Sequence, residues 1–303
     1  MNGLFIGLTT LDLIYLANSP PQNNQKLVAL DYTVAAGGPA TNAAVTFNYL
    51  ENTATILAVV GSHPMTQLIH SDLENCTINR NYQINIIDLE PTNQNPPPVS
   101  SIIVTQTTGE RAVISINAVK TPASKQTIPA DILENIDIFD IILIDGHQIE
   151  VGFSIAQLAK SKNIPVVLDG GSWKPGFEKI LPFVDYAICS ANFCPPNCHT
   201  SEDVFTYLSQ IKIPYIAITH GGNPIEYLIS SLSFNADELG VRSLIDVPII
   251  QPVDTLGAGD IFHGAFCHYI LHKNFPEALF SSAKIAGYSC QFFGTRRWML
   301  DSI

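Results

Sequence analysis

The chain is expected to fold as an α/β protein with a mostly parallel sheet, helices on both sheet faces, and a small separate β unit. Three observations carry that expectation. Short apolar runs rich in β-branched residues recur with little polar alternation, the pattern of strands buried on both faces. Helical patterns fall between them, and such strand–helix alternation implies a parallel sheet. Two stretches, 12–36 and about 98–118, break the alternation and so stand apart from the layered body.

The expected strands are Leu4–Leu8, Thr55–Val60, Ile141–Ile144, Pro165–Leu168, Tyr186–Cys189 and Tyr215–Thr219. The expected helices are Ala40–Leu50, Val151–Lys162, Ser201–Gln210, Gly257–His272 and Pro276–Phe292. Segment 12–36 is polar and extended, with Pro20-Pro21 inside it. Pro96-Pro97-Pro98 reads as a rigid linker. After it, Val99–Gln106 and Arg111–Asn117 flank Thr107-Thr108-Gly109-Glu110, the pattern of a β-hairpin. Such a hairpin is either a flap over a site or a simple edge element.

Composition narrows the function. A length of 303 residues fits one large α/β domain or two smaller ones. An apolar content of 46% excludes a chain disordered throughout. With 15 basic and 27 acidic residues the net charge is −12, which argues against nucleic acid as a partner. No run reaches the ~18 apolar residues of a membrane helix. Met1–Gly7 has neither the basic region nor the cleavage site of a signal peptide, so a cytoplasmic location is expected. Cys189, Cys194, Cys198 and His199 are zinc-compatible donors, but they lack a paired C-x-x-C and are interrupted by Pro195-Pro196. Ordinary reduced thiols are expected there.

Two glycine-rich turns carry the chemistry. Asp254-Thr255-Leu256-Gly257-Ala258-Gly259-Asp260 follows a strand-like run, Val247–Ile250, and opens a helix. Its apolar positions Ile261, Phe262, Ala265, Phe266, Tyr269 and Ile270 lie on one face. Glycines in the first turn remove side chains where a ligand would approach, and the free N–H groups with the helix dipole favour an anion. Asp260 beside an anion site would repel phosphate unless it took a proton from an attacking hydroxyl. A helix start with a capping acid fits the same residues equally well. The second turn, Gly37-Gly38-Pro39-Ala40-Thr41-Asn42, also leads into a helix, with Pro39 near its first position. Asn42 can donate and accept, as sugar hydroxyls require. The chain has no G-x-x-x-x-G-K-S/T phosphate loop, no G-x-G-x-x-G after the first strand and no H-E-x-x-H.

Asp254–Asp260 resembles the D-T-x-G-A-G-D signature of ribokinase-like (PfkB-type) carbohydrate kinases, and Gly37-Gly38 with Asn42 resembles their G-G-x-x-x-N element. The resemblance spans essentially the whole chain. It implies a single ribokinase-like domain over 1–303, a three-layer αβα sandwich with a small β-sheet lid from about 12–36 and 98–118. It implies transfer of the ATP γ-phosphoryl to a primary hydroxyl of a sugar or sugar-like alcohol, with Mg2+ and a possible K+ requirement. By this resemblance Asp260 is the catalytic base, and Gly257, Ala258 and Gly259 form the backbone anion hole. Asp12, near the end of the first strand, binds substrate hydroxyls, with Gly37, Gly38 and Asn42 alongside. Arg111 on the hairpin faces substrate or phosphate. Asn192, Thr219, Gly221 and Gly222 lie at ATP. Carbonyls around Asp254 and Thr255 are the candidate ligands of a monovalent cation. A homodimer through the lid is also implied. The alternatives are a nucleoside kinase of the same fold and a non-catalytic sugar- or nucleotide-binding protein.

The chain departs from the family pattern at three places. The N-x-x-E element is here Asn192-Phe193-Cys194-Pro195, without the glutamate that helps organise magnesium-bound water. V-G-x-D-x-x-G is here Val60-Gly61-Ser62-His63-Pro64-Met65-Thr66. D-x-N-x-R is here Asp169-Gly170-Gly171-Ser172-Trp173, with Lys174 a candidate for the missing charge. Few basic residues are expected at the nucleotide, Arg111 and Lys174 being the candidates.

Overall fold

A computed structural model describes residues 1–77, 81–118, 122–230 and 240–300. The chain opens with strand β1 (Asn2–Ile6), then β2 (Thr10–Ala17) and β3 (Asp31–Gly37), helix α1 (Pro39–Tyr49), β4 (Thr53–Ala58), α2 (Thr66–Cys76) and β5 (Ile84–Asp88). Next come β6 (Val99–Thr105), β7 (Arg111–Ser115), α3 (Ala130–Glu134), β8 (Ile141–Ile144), α4 (Ile149–Ser161) and β9 (Val166–Gly170). The remainder holds α5 (Phe177–Ile180), β10 (Tyr186–Ser190), α6 (Ser201–Gln210), β11 (Tyr215–His220), β12 (Asn223–Ile229), β13 (Val241–Ile245), α7 (Ala258–Tyr269) and α8 (Phe275–Ser289).

The large sheet has the order β13-β12-β11-β10-β9-β8-β1-β4-β5. It is parallel from β11 to β5, and β12 and β13 add to it antiparallel. Its central strands alternate between two cores. Leu4, Ile6, Ile142 and Ile144 pack with α4 and α6 on one face, through Ile155, Ala156, Phe205 and Leu208. Phe5, Ile141 and Leu143 pack on the other with α1, α7 and α8, through Ala43, Phe47, Phe266 and Leu279. Both faces are therefore covered, which is why these strands read as unbroken apolar runs.

A separate four-stranded sheet, β3-β2-β6-β7, is built from the two stretches that broke the alternation. The hairpin turns at Gly109, whose φ is +67°. The inner face of this sheet carries Asp12, Ile14, Ser100, Ile102 and Val104, and Ile14, Ile102 and Val104 pack against Leu256 and Phe293. The outer face carries Tyr15, Tyr32, Val34 and Ile114, all exposed.

Two expectations need correction. Asp12 lies on β2 of the small sheet, not near the end of the first strand. The first strand stops at Ile6 because the chain leaves the large sheet at Gly7, so close to Asp145 that a Cβ there would lie 2.0 Å from its carboxyl. Val247–Ile250 is not a strand. Pro248 lacks an amide donor, and the edge position is filled by β13 just upstream.

Candidate functional site

The two glycine-rich turns meet side by side. Gly38 precedes α1 with φ +95°, and a Cβ there would stand 2.2 Å from the Leu8 carbonyl oxygen, so only glycine fits. Gly37 leaves room for the Asp12 carboxylate, whose Oδ2 would lie 1.9 Å from an added Cβ. Gly257 precedes α7 in the left-handed region, with φ +70°. The starts of α1 and α7 are joined by one bond, Asn42 Nδ2 donating to Asp260 Oδ2 at 2.9 Å. Gly259 opens onto free space, with no protein atom within 4 Å of where a Cβ would sit.

Asp260 is half-buried in the first turn of α7. Desolvation first, then the Asp169 carboxylate, push its pKa up to about 7, against the opposing effects of the Asn42 bond, His263 and Arg111. One turn further along the helix, His263 Nδ1 lies 2.7 Å from the Gly259 carbonyl and Nε2 lies 3.1 Å from the Ile188 carbonyl. Its Nδ1 is also 3.4 Å from Asp169 Oδ2. Asp169 Oδ1 accepts from the Gly171 amide at 3.0 Å, while the buried Oδ2 has no hydrogen-bond partner within the protein. These contacts seat the first turn of α7 against the C-terminal ends of β9 and β10, where parallel α/β sheets bind ligands.

Asp12 is buried and faces the same cleft from the small sheet. Thr10 Oγ1 donates to its Oδ1 at 2.6 Å. Burial raises its pKa, and hydrogen bonds from Thr10 and Ser100 with the charge of Arg296 work against the rise. The loop before β2 is fixed by Asp145, whose Oδ2 accepts from the amides of Leu8 at 2.8 Å and Ala40 at 3.2 Å. Burial alone would push Asp145 up, but His147, Lys174 and the Leu8 amide hold it at about 2.

The other expected positions divide into two groups. Thr219 ends β11 with its hydroxyl 3.3 Å from the Cys189 carbonyl, and Gly221 and Gly222 form the β11–β12 turn, open to solvent. Asn192 follows β10, its amide bonded to Ser190 Oγ at 3.1 Å. These four residues lie at the C-terminal ends of neighbouring strands. Arg111 reaches the loop before α7, where Nη1 donates to Thr255 Oγ1 at 3.1 Å. Thr255 Oγ1 in turn donates to the Gly109 carbonyl at 3.0 Å, and the Thr255 amide donates to the same oxygen at 3.1 Å. The hairpin tip is thus tied to the turn that opens α7. Asp254 accepts from the amides of Leu256 and Gly294, both at 2.8 Å. The Asp254 and Thr255 side chains thus hold the loop in place through these bonds. Lys174 lies over the Phe177 ring, 5.3 Å from its centroid.

Sequence reasoning missed three residues here. Arg296 donates through Nη1 to Asn42 Oδ1 at 2.9 Å, through Nε to Asp72 Oδ2 at 3.2 Å, and through Nη2 to the Ala36 carbonyl. Asp145 and His263 are the others. Asp145 directly follows β8 and His263 lies one helical turn past a motif, placements that spacing alone does not mark. Of the expected thiol cluster, Cys189 is wholly inside the core. Among the described residues no group of three or more His, Cys, Asp or Glu side chains is placed to hold a metal ion.

The site combines a carboxylate raised to about 7, an open helix start and a second buried acid, Asp12, across a cleft. That set can accept a proton from an alcohol while an anion rests on backbone amides. A ribokinase of Bacillus subtilis is 23% identical over 97% of this chain and 94% of its own length. A deoxyribokinase of Salmonella typhi is 25% identical over 96% and 93%. The structure of Arabidopsis thaliana ribokinase complexed with ribose and ATP superposes with a TM-score of 0.74 at 20% identity, covering 99% of this chain and 97% of that one. The model of the pfkB family carbohydrate kinases matches residues 3–301, and the chain belongs to that family.

Proposed function

We propose that this kinase transfers the γ-phosphoryl of ATP to a primary hydroxyl of a sugar or sugar-like alcohol, with Asp260 as the base. One observation carries the reading. Asp260, raised to about 7, has Oδ2 taken by Asn42 and Oδ1 left for an attacking hydroxyl, beside the open turn at Gly259. In this reading the substrate is held by Asp12, with Gly37, Gly38 and Asn42 lining its side and Arg111 above. The hydroxyl oxygen bonds to the γ-phosphorus as the bond to the bridging oxygen breaks, its proton passes to Asp260, and ADP leaves. The amides of Gly257, Ala258 and Gly259 stabilise the charge on the transferring group. Asn192, Thr219, Gly221 and Gly222 line the nucleotide. The small sheet acts as the lid, with 1–303 working as one domain.

Magnesium, when bound, would neutralise charge developing on the phosphates. Mg2+ keeps several waters and needs few protein ligands, which suits a site without an acidic cage. The unpartnered Asp169 Oδ2 beside Asp260 offers an acceptor for such a water, whereas Pro195 offers none. A potassium ion would be held by carbonyls near Asp254 and Thr255. The exposed apolar outer face of the small sheet supports pairing with a second copy of the chain.

ADP release across sugars, sugar acids and nucleosides tests the reading. Asp260→Asn should lower turnover on the order of 10²-fold or more. A panel with no ADP release, or near-normal turnover in the variant, would overturn it.

A further inference from the structure

We propose that Arg296 is a positioning residue that locks the Asn42 amide in the one orientation that favours a charged Asp260. The inference rests on Asp260 being the base.

An asparagine amide has two nearly isosteric orientations, one presenting NH2 to a given neighbour and the other presenting oxygen. A guanidinium has donors only. Because Arg296 Nη1 donates to Asn42 Oδ1, the amide oxygen must face the arginine and the NH2 must face Asp260. Asn42 can then donate to the carboxylate but cannot accept from the protonated acid. Remove the guanidinium and the amide is free to turn. Its oxygen could then accept a proton-bearing Asp260, which would stabilise the inactive form of the base.

The arginine is held firmly enough for this role. Its other bonds run to Asp72 on α2, to the Ala36 carbonyl in β3 and, again from Nη1, to the Thr295 carbonyl at 3.2 Å. Asp72 Oδ2 also accepts from the Ala36 amide at 2.9 Å, so the Arg296–Asp72 pair is pinned to the strand beside Gly37. Burial works against the arginine's charge, and the Asp72 and Asp12 carboxylates beside it favour that charge. The same guanidinium therefore stands between the substrate-side acid Asp12 and the amide that steers Asp260.

The experiment is the pH profile of kcat/KM for wild type, Arg296→Lys, Arg296→Leu and Asn42→Ala, and for the double variant Asn42→Ala/Arg296→Leu. The profile reports groups of the free enzyme. Arg296→Leu should move the acid limb up by about one pH unit, the scale of one hydrogen bond to a carboxylate. Arg296→Lys, which only donates, should restore most of the wild-type position. In the Asn42→Ala background, Arg296→Leu should move the limb no further. A limb that stays put while kcat falls, or a shift that persists without Asn42, overturns the proposal and leaves a purely structural arginine. Should Arg296→Leu not fold, Arg296→Gln replaces it, because its neutral amide can also turn; an unmoved limb there overturns the proposal equally. An active Asp260→Asn with an unchanged limb would instead sink the base assignment itself.

Discussion

Asp260→Asn should make the protein more stable, and only at higher pH. The ordinary aspartate value is 3.8, and burial with the neighbouring Asp169 raises Asp260 to about 7. The unfolded chain thus releases this proton near pH 4, while the folded chain keeps it until near pH 7. Folding stability falls as pH rises across that window, and the loss is complete above it. Three units at about 1.4 kcal/mol each give an upper bound of about 4 kcal/mol. The side chain still meets solvent in the cleft, which reduces the figure to about 1–2 kcal/mol. Asparagine removes this loss and keeps an oxygen for the Asn42 amide. At about 2–4 °C per kcal/mol for a large domain, the variant should melt roughly 2–8 °C higher at pH 8. At pH 4.5 only about a quarter of that gain should remain. Differential scanning fluorimetry at the two pH values measures it. An equal offset at both, or a variant that melts lower at pH 8, would refute this account of the carboxylate.

Other outcomes follow from the same geometry. The kcat/KM of the wild type should fall as pH drops below about 7, because the proposed base is then protonated. Gly259→Ala should leave the melting temperature unchanged or raise stability by up to about 1 kcal/mol through helix propensity. It should nevertheless cut turnover on the order of tenfold or more, since the methyl enters the space proposed for phosphate. Thr255→Val, which breaks the bonds to Gly109 and Arg111, should reduce kcat/KM by about five- to tenfold, the value of one or two hydrogen bonds. If the outer face pairs two copies as proposed, the wild type should sediment as a dimer and Tyr32→Lys with Ile114→Lys as a monomer.

The two sheets and the glycine turns were legible because each is specified locally. Buried parallel strands announce themselves as apolar runs, and Gly37-Gly38 and Gly257–Asp260 mark helix starts that need open backbone. The small sheet was legible as an interruption, although not which strand would carry Asp12. That position depends on β2 pairing with Val99–Thr105, some ninety residues away. Arg296 was invisible for the same reason. It follows Thr295 in a stretch with no motif, and its meaning comes from reaching Ala36, Asn42 and Asp72 at once. Asp169 was named in sequence as the aspartate of a partly kept family element, whereas the structure shows its charge acting on Asp260 and its Oδ2 without a hydrogen bond, 3.4 Å from His263 Nδ1. Val247–Ile250 misled because β-branched residues predict extended backbone, and extended backbone is a strand only with a partner to bond to.

The bonds that assemble the cleft join residues far apart in the chain: Asn42 with Asp260 across 218 positions, and Ala36 with Arg296 across 260. Such contacts close late in folding, since each must first overcome the entropy of a long loop. During synthesis the strands and α1 emerge well before the segment holding Arg296, so the nascent protein spends most of its translation with an unfinished cleft and the apolar face of its small sheet uncovered. Slowing translation around residues 294–296 should therefore lower soluble yield more than an equal delay earlier in the chain.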